Sequence, residues 1–221
     1  MTVRIVAFLL ALTLVAQVGP ARSAEAEMWA TFKHRFVSAD GRVIDTANAD
    51  VSHSEGQGYG LLLAVAHADR AAFARIWSWT RTHLAVRDDS LLAWLWKPTE
   101  GIADMNSASD GDILVAWALL RAHETWGEAR YRDAARRLID AVGRELVVDW
   151  AGRKLLLPGP AGFAREGALV VNPSYWIFPA FAAFDRVDPD GPWSALTEDG
   201  LEVLENARLG TRALVPDWVQ E

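Results

Sequence analysis

Two short polar segments of the sequence carry carboxylates among small residues, and each precedes a long apolar stretch. They are Ser54-Glu55-Gly56-Gln57-Gly58-Tyr59-Gly60 and Asn106-Ser107-Ala108-Ser109-Asp110-Gly111-Asp112. A glycine inside a helix costs about 1 kcal/mol relative to alanine, so three glycines at alternate positions indicate that a ligand or another backbone comes close. Paired carboxylates can perform general acid–base chemistry, which makes Glu55 and Asp110 the candidate site residues.

The elements that must position these carboxylates are helices. Apolar residues recur at helical spacing and few alternating runs occur, so we predict a mainly α chain. The predicted helices cover residues 28–37, 55–68, 70–83, 109–126, 129–146, 174–185 and 192–207. A small hairpin is expected between residues 154 and 171, around Pro158-Gly159-Pro160.

Strongly apolar helices alternate with more charged ones, which indicates an inner and an outer layer. If helices 55–68 and 109–126 are parallel inner members, Glu55 and Asp110 open onto one rim. The third inner helix would add Asn172-Pro173-Ser174-Tyr175 to the same rim. At helical spacing each acid lies at the N-terminal end of a core-facing stripe; the stripes are Tyr59, Leu62, Leu63 and Ala66, and Ile113, Leu114, Trp117 and Leu120.

Helix capping is the alternative explanation for both acidic segments. Ser54 and Gln57 match the spacing of a capping box, and acids near a helix start, such as Asp110 and Asp112, commonly do no more than cap it. A general acid needs a raised pKa, which burial or a neighbouring Asp110 would have to give Glu55.

A metal or cofactor is not indicated by the spacing of the polar residues. Asp104, Asn106 and Ala108 fail the ligand pattern of a calcium loop. The five histidines show no metal-ligand or triad spacing, and there is no cysteine to act as a nucleophile. We therefore predict neither a metal nor a cofactor.

Eleven tryptophans are many for 221 residues. Most are expected in the core, the usual place for large aromatic side chains. Trp94, Trp96 and Trp176 lie in or beside connections near the proposed rim, where their flat faces could stack on sugar rings.

Residues 1–23 have the pattern of a secretory signal peptide, with Arg4, an apolar stretch over residues 5–18 and small residues before the expected cleavage site. We expect a soluble periplasmic or secreted protein with no membrane span after cleavage. Cleavage removes two arginines and no acid, which takes the formal charge from −7 to −9. Such a charge argues against nucleic-acid binding and suits a neutral or cationic substrate.

Together, the two carboxylate segments and Asn172-Pro173-Ser174-Tyr175 resemble the motifs of glycoside hydrolase family 8, from about Trp29 to Trp218. The resemblance implies an all-α (α/α)6 barrel and inverting hydrolysis of β-1,4-glucan. By the same resemblance Glu55 is the general acid and Asp110 positions and distorts the sugar. Asn106, Trp96, Ser174 and Tyr175 fall in segments that contribute to the substrate cleft.

Within the family, the likeness is greatest to the periplasmic endoglucanases of bacterial cellulose synthesis, which implies a functional association with the cellulose synthase machinery. One departure concerns the catalytic base, which in the family is an aspartate that follows a tyrosine. None of Tyr59, Tyr131 and Tyr175 is followed by aspartate. We therefore expect residues 24–221 to be the N-terminal part of a barrel domain that is incomplete at its C-terminus, and nearly inactive alone.

Three other functions stay open at this point. The same fold could act on chitosan or xylan, and the acidic surface would suit a cationic polymer. A non-catalytic glucan-binding remnant would keep the aromatic residues and lack the base. A helical scaffold would use the polar clusters only as helix caps.

Overall fold

The computed structural model describes residues 20–221, and seven α-helices dominate this part of the chain. They are α1 (Pro20–Phe36), α2 (Ser54–Ala66), α3 (Arg70–His83), α4 (Ser109–Trp126), α5 (Ala129–Glu145), α6 (Phe178–Val187) and α7 (Trp193–Asn206). The predicted bounds of α3 and α4 are confirmed. Residues 1–19, which hold most of the predicted signal peptide, lie outside the described residues.

Short antiparallel strands connect the helices in three small sheets. The strands are β1 (Ser52–His53), β2 (Leu95–Lys97), β3 (Gly101–Asp104), β4 (Val147–Trp150), β5 (Arg153–Leu156), β6 (Ala164–Arg165), β7 (Ala168–Val171) and β8 (Val219–Gln220). Their orders are β1-β2-β3, β4-β5 and β6-β7-β8. The first sheet joins the start of α2 to the connection that precedes α4.

The predicted hairpin around Pro158 is wrong in its pairing. Strand β5 pairs with the strand before it, β4, across a two-residue turn at Ala151 and Gly152. Both turn residues have positive φ, 49° and 83°, which matches the twist of a tight hairpin. Strand β7 pairs with β6 and β8 instead. The local turn decides the register, and the proline-rich segment is left as a loop.

The predicted start of the sixth helix at Ser174 is also wrong. Pro173–Tyr175 forms one turn of 3₁₀ helix, and α6 begins at Phe178. The carboxamide oxygen of Asn172 accepts hydrogen bonds from the amide of Ser174 at 3.0 Å and from its hydroxyl at 2.5 Å. Trp176, the residue after this turn, has an extended backbone, so the turn does not continue into α6.

The helices are arranged in inner and outer members, as the alternation in the sequence predicts. The inner helices α2 and α4 pack against each other, α3 packs on α2, and α5 packs on α4. Helix α4 is buried on nearly all sides. Helices α3 and α5 expose charged residues on their outer faces, among them Arg81, Arg132, Arg136 and Asp140.

The predicted apolar stripe of α2 is on the wrong face. Its buried residues include Gly58, Leu61 and Val65, whereas Tyr59 is 49% exposed. The reason is that the side of the helix with Gly58 and Gly60 is the one that packs. Gly58 lies against Leu114 of α4, and Gly60 lies against Val43 and Ile76. On α4, the predicted Ile113 and Leu114 are buried as expected.

The core runs between the two helix layers. Aromatic contacts hold its ends: the ring of Phe73 on α3 lies edge-on to Tyr131 on α5 at 5.0 Å, and Phe184 on α6 lies edge-on to Trp193 on α7, also at 5.0 Å. Across residues 20–221, none of the helices combines the length and the apolar character needed to cross a bilayer.

Candidate active site

The first turns of α2 and α4 lie against each other. A Cβ atom built on Gly111 would lie 2.1 Å from Oγ of Ser54 and 2.8 Å from the amide nitrogen of Glu55. A Cβ atom on Gly58 would lie 2.5 Å from Cβ of Leu114. Two of the glycines that the sequence singled out therefore permit close helix packing. This packing brings Glu55 and Asp110, which are distant in sequence, to one place.

Asp110 is the more deeply buried of the two carboxylates, with 5% of its surface exposed. Burial first of all, and then the negative charge of Glu55, raise the pKa of Asp110 from 3.8 to about 7. The amide of Gly111, which donates a 2.8 Å hydrogen bond to Oδ1 of Asp110, acts in the opposite direction. Asp110 is thus partly protonated near neutral pH, in direct electrostatic contact with Glu55.

Two tyrosines complete the cluster around the carboxylates. Burial, followed by the charges of Glu55 and Asp110, raises the pKa of Tyr59. Burial and the same two charges raise the pKa of Tyr175 to about 12. Both phenols therefore stay protonated and can donate hydrogen bonds. The structure brings the predicted residue Tyr175 to the carboxylates and adds Tyr59.

The capping explanation for Ser54 and Gln57 is wrong. Helix α2 begins at Ser54, its N-cap residue is His53, and no side chain caps the helix. Oε1 of Gln57 accepts a 2.5 Å hydrogen bond from the amide of Val43, and its Nε2 donates to Oγ1 of Thr80 at 2.8 Å. Gln57 thus joins α2 to Val43 and to Thr80 of α3, and it does not cap the helix.

Asp112 has a different role from Asp110. Its Oδ1 accepts a 2.8 Å hydrogen bond from the amide of Leu92, and its Oδ2 accepts one from the hydroxyl of Ser107. Its side chain is fully buried, and that burial raises its pKa to about 7. The N-cap residue of α4 is Ala108, and no side chain caps the helix.

A cavity of 230 Å³ adjoins the carboxylate cluster. Aromatic, polar and small residues line it: Trp94, Asp104, Asn106, Ser107, Ala108, Pro158, Phe163 and Tyr175. Phe163 was not predicted as a site residue, because it lies in a loop whose position depends on pairing between distant strands. Its ring is stacked with that of Trp218 at 6.1 Å.

Asn106 lines this cavity and holds its edge in place. Its Nδ2 donates to the carbonyl oxygen of Ala161 at 3.1 Å, and its own carbonyl oxygen accepts from the amide of Trp94 at 2.9 Å. Oδ1 of Asn106 is buried and makes no hydrogen bond to the described residues. Ser174 is exposed.

The three tryptophans proposed as sugar platforms fall in different places. Trp94 lines the cavity beside Tyr175. Trp96 packs edge-on against Trp79 at 5.4 Å, and the guanidinium of Arg42 covers its ring at 5.0 Å. Trp176 is buried, with Gly200 of α7 beside it. The suggested open face at Trp176 is therefore wrong, because the 3₁₀ turn before it directs the ring into the core.

A second cavity, of 580 Å³, lies along α1 and contains none of the predicted site residues. Its apolar lining includes Trp29, Phe32 and Leu63. Among residues 20–221, no group of three or more His, Cys, Asp or Glu side chains is placed to hold a metal ion. The 230 Å³ cavity, which shares Tyr175 with the carboxylate cluster, is accordingly the candidate site.

Known proteins resemble this chain in sequence along most of its length. The model of glycosyl hydrolases family 8 matches residues 2–221. The endoglucanase of Cellulomonas uda is 45% identical over 193 residues, which cover 86% of this chain and 54% of that relative. The endoglucanase of Escherichia coli strain K12 is 41% identical over 201 residues, covering 87% of this chain and 53% of that relative. The chain thus spans about half the length of these curated relatives.

Solved structures resemble the chain as closely. The endoglucanase Cel10 from Klebsiella pneumoniae, a family 8 glycosyl hydrolase, superposes with a TM-score of 0.85 and 45% identity, covering 88% of this chain and 63% of that one. A GH8 endo-beta-1,4-glucanase from an Achatina fulica gut metagenomic library gives a TM-score of 0.84 and 43% identity, covering 87% and 62%.

Proposed function

Because this chain belongs to glycosyl hydrolases family 8, we propose that it serves the hydrolysis of internal β-1,4-glucosidic bonds with inversion, as an endo-β-1,4-glucanase. Membership confirms the predicted all-α (α/α)6 barrel fold, of which the seven described helices form part. The observation that supports the proposed activity is the meeting of Glu55 and Asp110 at the starts of two inner helices.

In this proposal Glu55 is the general acid that protonates the leaving glycosidic oxygen. It lies in the first turn of α2 and is partly exposed, so a bound polymer can reach it. Its neighbour Asp110 carries a pKa of about 7, and can therefore donate as well as accept a hydrogen bond near neutral pH. Such a group is suited to hold a sugar hydroxyl while the ring is distorted, which is the role we propose for Asp110.

An inverting hydrolase also needs a second carboxylate that activates water, roughly 6.5 to 9.5 Å from the acid. Asp112 is a poor candidate, because both of its oxygens are engaged by Leu92 and Ser107 and its side chain is fully buried. We propose that the base belongs to the half of the relatives' length that this chain does not span.

The proposed substrate is a β-1,4-glucan that lies along the cavity beside Tyr175. Trp94, Phe163 and Tyr175 offer apolar ring faces there, and Asn106 and Asp104 offer polar groups. Sugar rings combine an apolar face with a polar edge, so this lining matches them. We propose that Trp94, Tyr175 and Asn106 contact the polymer, together with the predicted residues Trp96 and Ser174.

The test is reducing-sugar release from carboxymethylcellulose by two proteins: this chain, and the same chain extended with the remaining C-terminal length of the Cellulomonas uda relative. We expect hydrolysis by the extended protein and little by the chain alone. Glu55→Gln in the extended protein should lower the rate by about 10² or more, the usual contribution of general acid catalysis. The exposed Glu124 on α4 gives the matched control Glu124→Gln, which should leave the rate unchanged.

Hydrolysis that survives Glu55→Gln would contradict this assignment of the acid. Parallel assays on chitosan and xylan test the substrate, since a faster rate on either polymer would replace glucan. Binding of cellulose by both proteins without any hydrolysis would point to a non-catalytic glucan-binding protein.

We further propose that the protein is exported to the periplasm or beyond and acts beside the cellulose synthase machinery. The apolar stretch over residues 5–18 supports export. N-terminal sequencing of the protein recovered from the periplasmic fraction tests the cleavage, with a new terminus expected near residue 24. Recovery of the uncleaved chain from the cytoplasm would contradict it. Co-purification with the synthase subunits tests the association.

A further inference from the structure

A short segment of the chain, residues 92–94, bridges the two helices that carry the carboxylates. At one end Oδ1 of Asp112 in α4 accepts the hydrogen bond of the Leu92 amide, at 2.8 Å. At the other end the carbonyl oxygen of Trp94 accepts a 3.0 Å hydrogen bond from the amide of Ser54, the first residue of α2. The start of α2 is thus held to the start of α4 through three residues.

The same carboxylate also holds the chain that leads into α4. Oδ2 of Asp112 accepts a hydrogen bond from the hydroxyl of Ser107. The residue before it, Asn106, accepts the amide hydrogen bond of Trp94 through its carbonyl oxygen at 2.9 Å. Asp112 therefore closes a ring of hydrogen bonds that contains Trp94, Asn106 and Ser107, which form one wall of the cavity.

A fully buried carboxylate is costly to the fold unless its oxygens are hydrogen-bonded. The charged groups that act on Asp112 are Asp110, of like charge, and Arg87, of opposite charge. Arg87 is itself paired with Asp89 and donates to the carbonyl oxygen of Met105. Asp112 therefore acts on its surroundings mainly by accepting the hydrogen bonds of Leu92 and Ser107.

We propose that Asp112 is a positioning residue, which sets Glu55 against Asp110 and fixes the Trp94 wall of the cavity through its bonds to Leu92 and Ser107. The proposal deepens the proposed function and rests on it for its significance. The placement of Glu55 against Asp110 can be tested without substrate.

The test compares Asp112→Asn with Asp112→Ala. Both variants lack the charge, but asparagine still accepts from the Leu92 amide through its oxygen and meets the Ser107 hydroxyl through its nitrogen. A difference between the two variants therefore cannot come from the lost charge. In the alanine variant we expect amide hydrogen exchange at Leu92 and Ser54 to accelerate by about tenfold or more. The reason is that the Leu92 amide loses its acceptor and the nearby bond from Ser54 to Trp94 is weakened. In the asparagine variant exchange should stay within about threefold of the parent chain.

A second readout is the titration of the Asp110 carboxyl followed by carbon-13 NMR. In Asp112→Ala the pKa of Asp110 should fall back toward its ordinary value, because the displaced helix starts expose Asp110 and separate it from Glu55. In Asp112→Asn it should stay near the raised value. The matched control is Asp199→Ala on α7, which removes a comparable carboxylate bond, 2.6 Å from the Lys154 amide, at another place.

Several outcomes overturn the proposal. It is wrong if Asp112→Ala folds, by far-ultraviolet circular dichroism, and leaves both readouts as in the parent chain. It is equally wrong if Asp112→Asn behaves like the alanine variant, or if Asp199→Ala changes Asp110 as much. If Asp112→Ala does not fold, Ser107→Ala decides, since it removes only the bond to Oδ2 and leaves the Leu92 bond in place. Unchanged exchange at the Trp94 amide, which bonds to Asn106 beside Ser107, would then reject the positioning of the Trp94 wall.

Binding of cellohexaose separates this proposal from the proposed function. We expect affinity to fall by about tenfold in Asp112→Ala and to recover in Asp112→Asn. If the parent chain and its extended form bind no cellohexaose while both readouts respond as expected, the glucanase proposal fails and the positioning of Glu55 by Asp112 stands. If cellohexaose binds equally to all variants, the positioning role fails and the glucanase proposal stands.

Discussion

The amide of Glu55 lies directly against Gly111: a methyl group on the glycine would come within 2.8 Å of that nitrogen and within 2.1 Å of the Ser54 hydroxyl oxygen. The two carboxylates of the candidate site can therefore meet only because position 111 lacks a side chain. With a side chain at this position, the helix starts would have to move apart until these contacts reach an ordinary van der Waals distance.

This contact predicts that Gly111→Ala separates Glu55 from Asp110. Overpacking of this kind costs about 1 to 3 kcal/mol, which we expect as a loss in the free energy of unfolding measured by urea denaturation. The control is Gly143→Ala in α5, where the nearest atom to a new Cβ lies at an ordinary 3.6 Å. There we expect a gain of up to about 1 kcal/mol from helix propensity. Equal effects at the two positions would contradict the close approach.

The raised pKa of Asp110 predicts a dependence of stability on pH. Between about pH 4 and pH 7 the folded protein binds a proton at Asp110 that the unfolded chain has released, so this group's contribution to stability falls as pH rises. Asp110→Asn removes the buried charge. We expect the variant to be more stable than the parent at pH 8, by up to about 4 kcal/mol since one pKa unit is worth about 1.4 kcal/mol, and similar to it near pH 4.

Urea denaturation at the two pH values measures this difference. Asp140→Asn, at an exposed position on α5, is the control, and a surface change of this kind should stay within about 0.5 kcal/mol. A difference for Asp110→Asn that grows toward acid pH would have the wrong sign and would contradict the burial of Asp110.

The hydrogen bonds of Gln57 predict that this residue stabilises the start of α2. Gln57→Ala leaves the amide of Val43 without its partner and removes a partner of the Thr80 hydroxyl, both in buried surroundings. The expected loss in the free energy of unfolding is about 1 to 3 kcal/mol. The control Thr82→Ala removes an exposed hydroxyl bond to Ser78 and should cost less than about 0.5 kcal/mol. A loss no larger than that of Thr82→Ala would contradict the two buried hydrogen bonds of Gln57.

The aromatic lining of the cavity predicts sites of glucan binding. Phe163→Ala and Tyr175→Ala should each weaken the binding of cellohexaose by about tenfold, the worth of a good aromatic contact. Isothermal titration calorimetry on the extended protein measures the effect. Phe32→Ala, in the separate cavity along α1, is the control and should bind as the parent does. Loss of binding in Phe32→Ala alone would move the glucan site to α1.

Local sequence patterns were sufficient for the bounds of α3 and α4, and they singled out Glu55 and Asp110, which the fold brings together. Apolar residues at helical spacing placed the bounds of α3 and α4 where the structure has them, because a helix depends on neighbours within four residues. The glycines beside Glu55 and Asp110 marked positions of close approach, because glycine is costly inside a helix and lacks a side chain. These features are determined by the sequence alone.

The tertiary structure decided the partners of each side chain. Gln57 bonds to Val43 and Thr80, and Asp112 to Leu92, across separations of 14 to 23 residues. The amide of Val170 in β7 donates to the carbonyl oxygen of Phe163, whose ring stacks with the distant Trp218, and this holds Phe163 at the cavity wall. The 3₁₀ turn at Pro173–Tyr175 buried Trp176. Such contacts depend on which distant segments fold against each other, and the spacing of residues along the chain does not predict this.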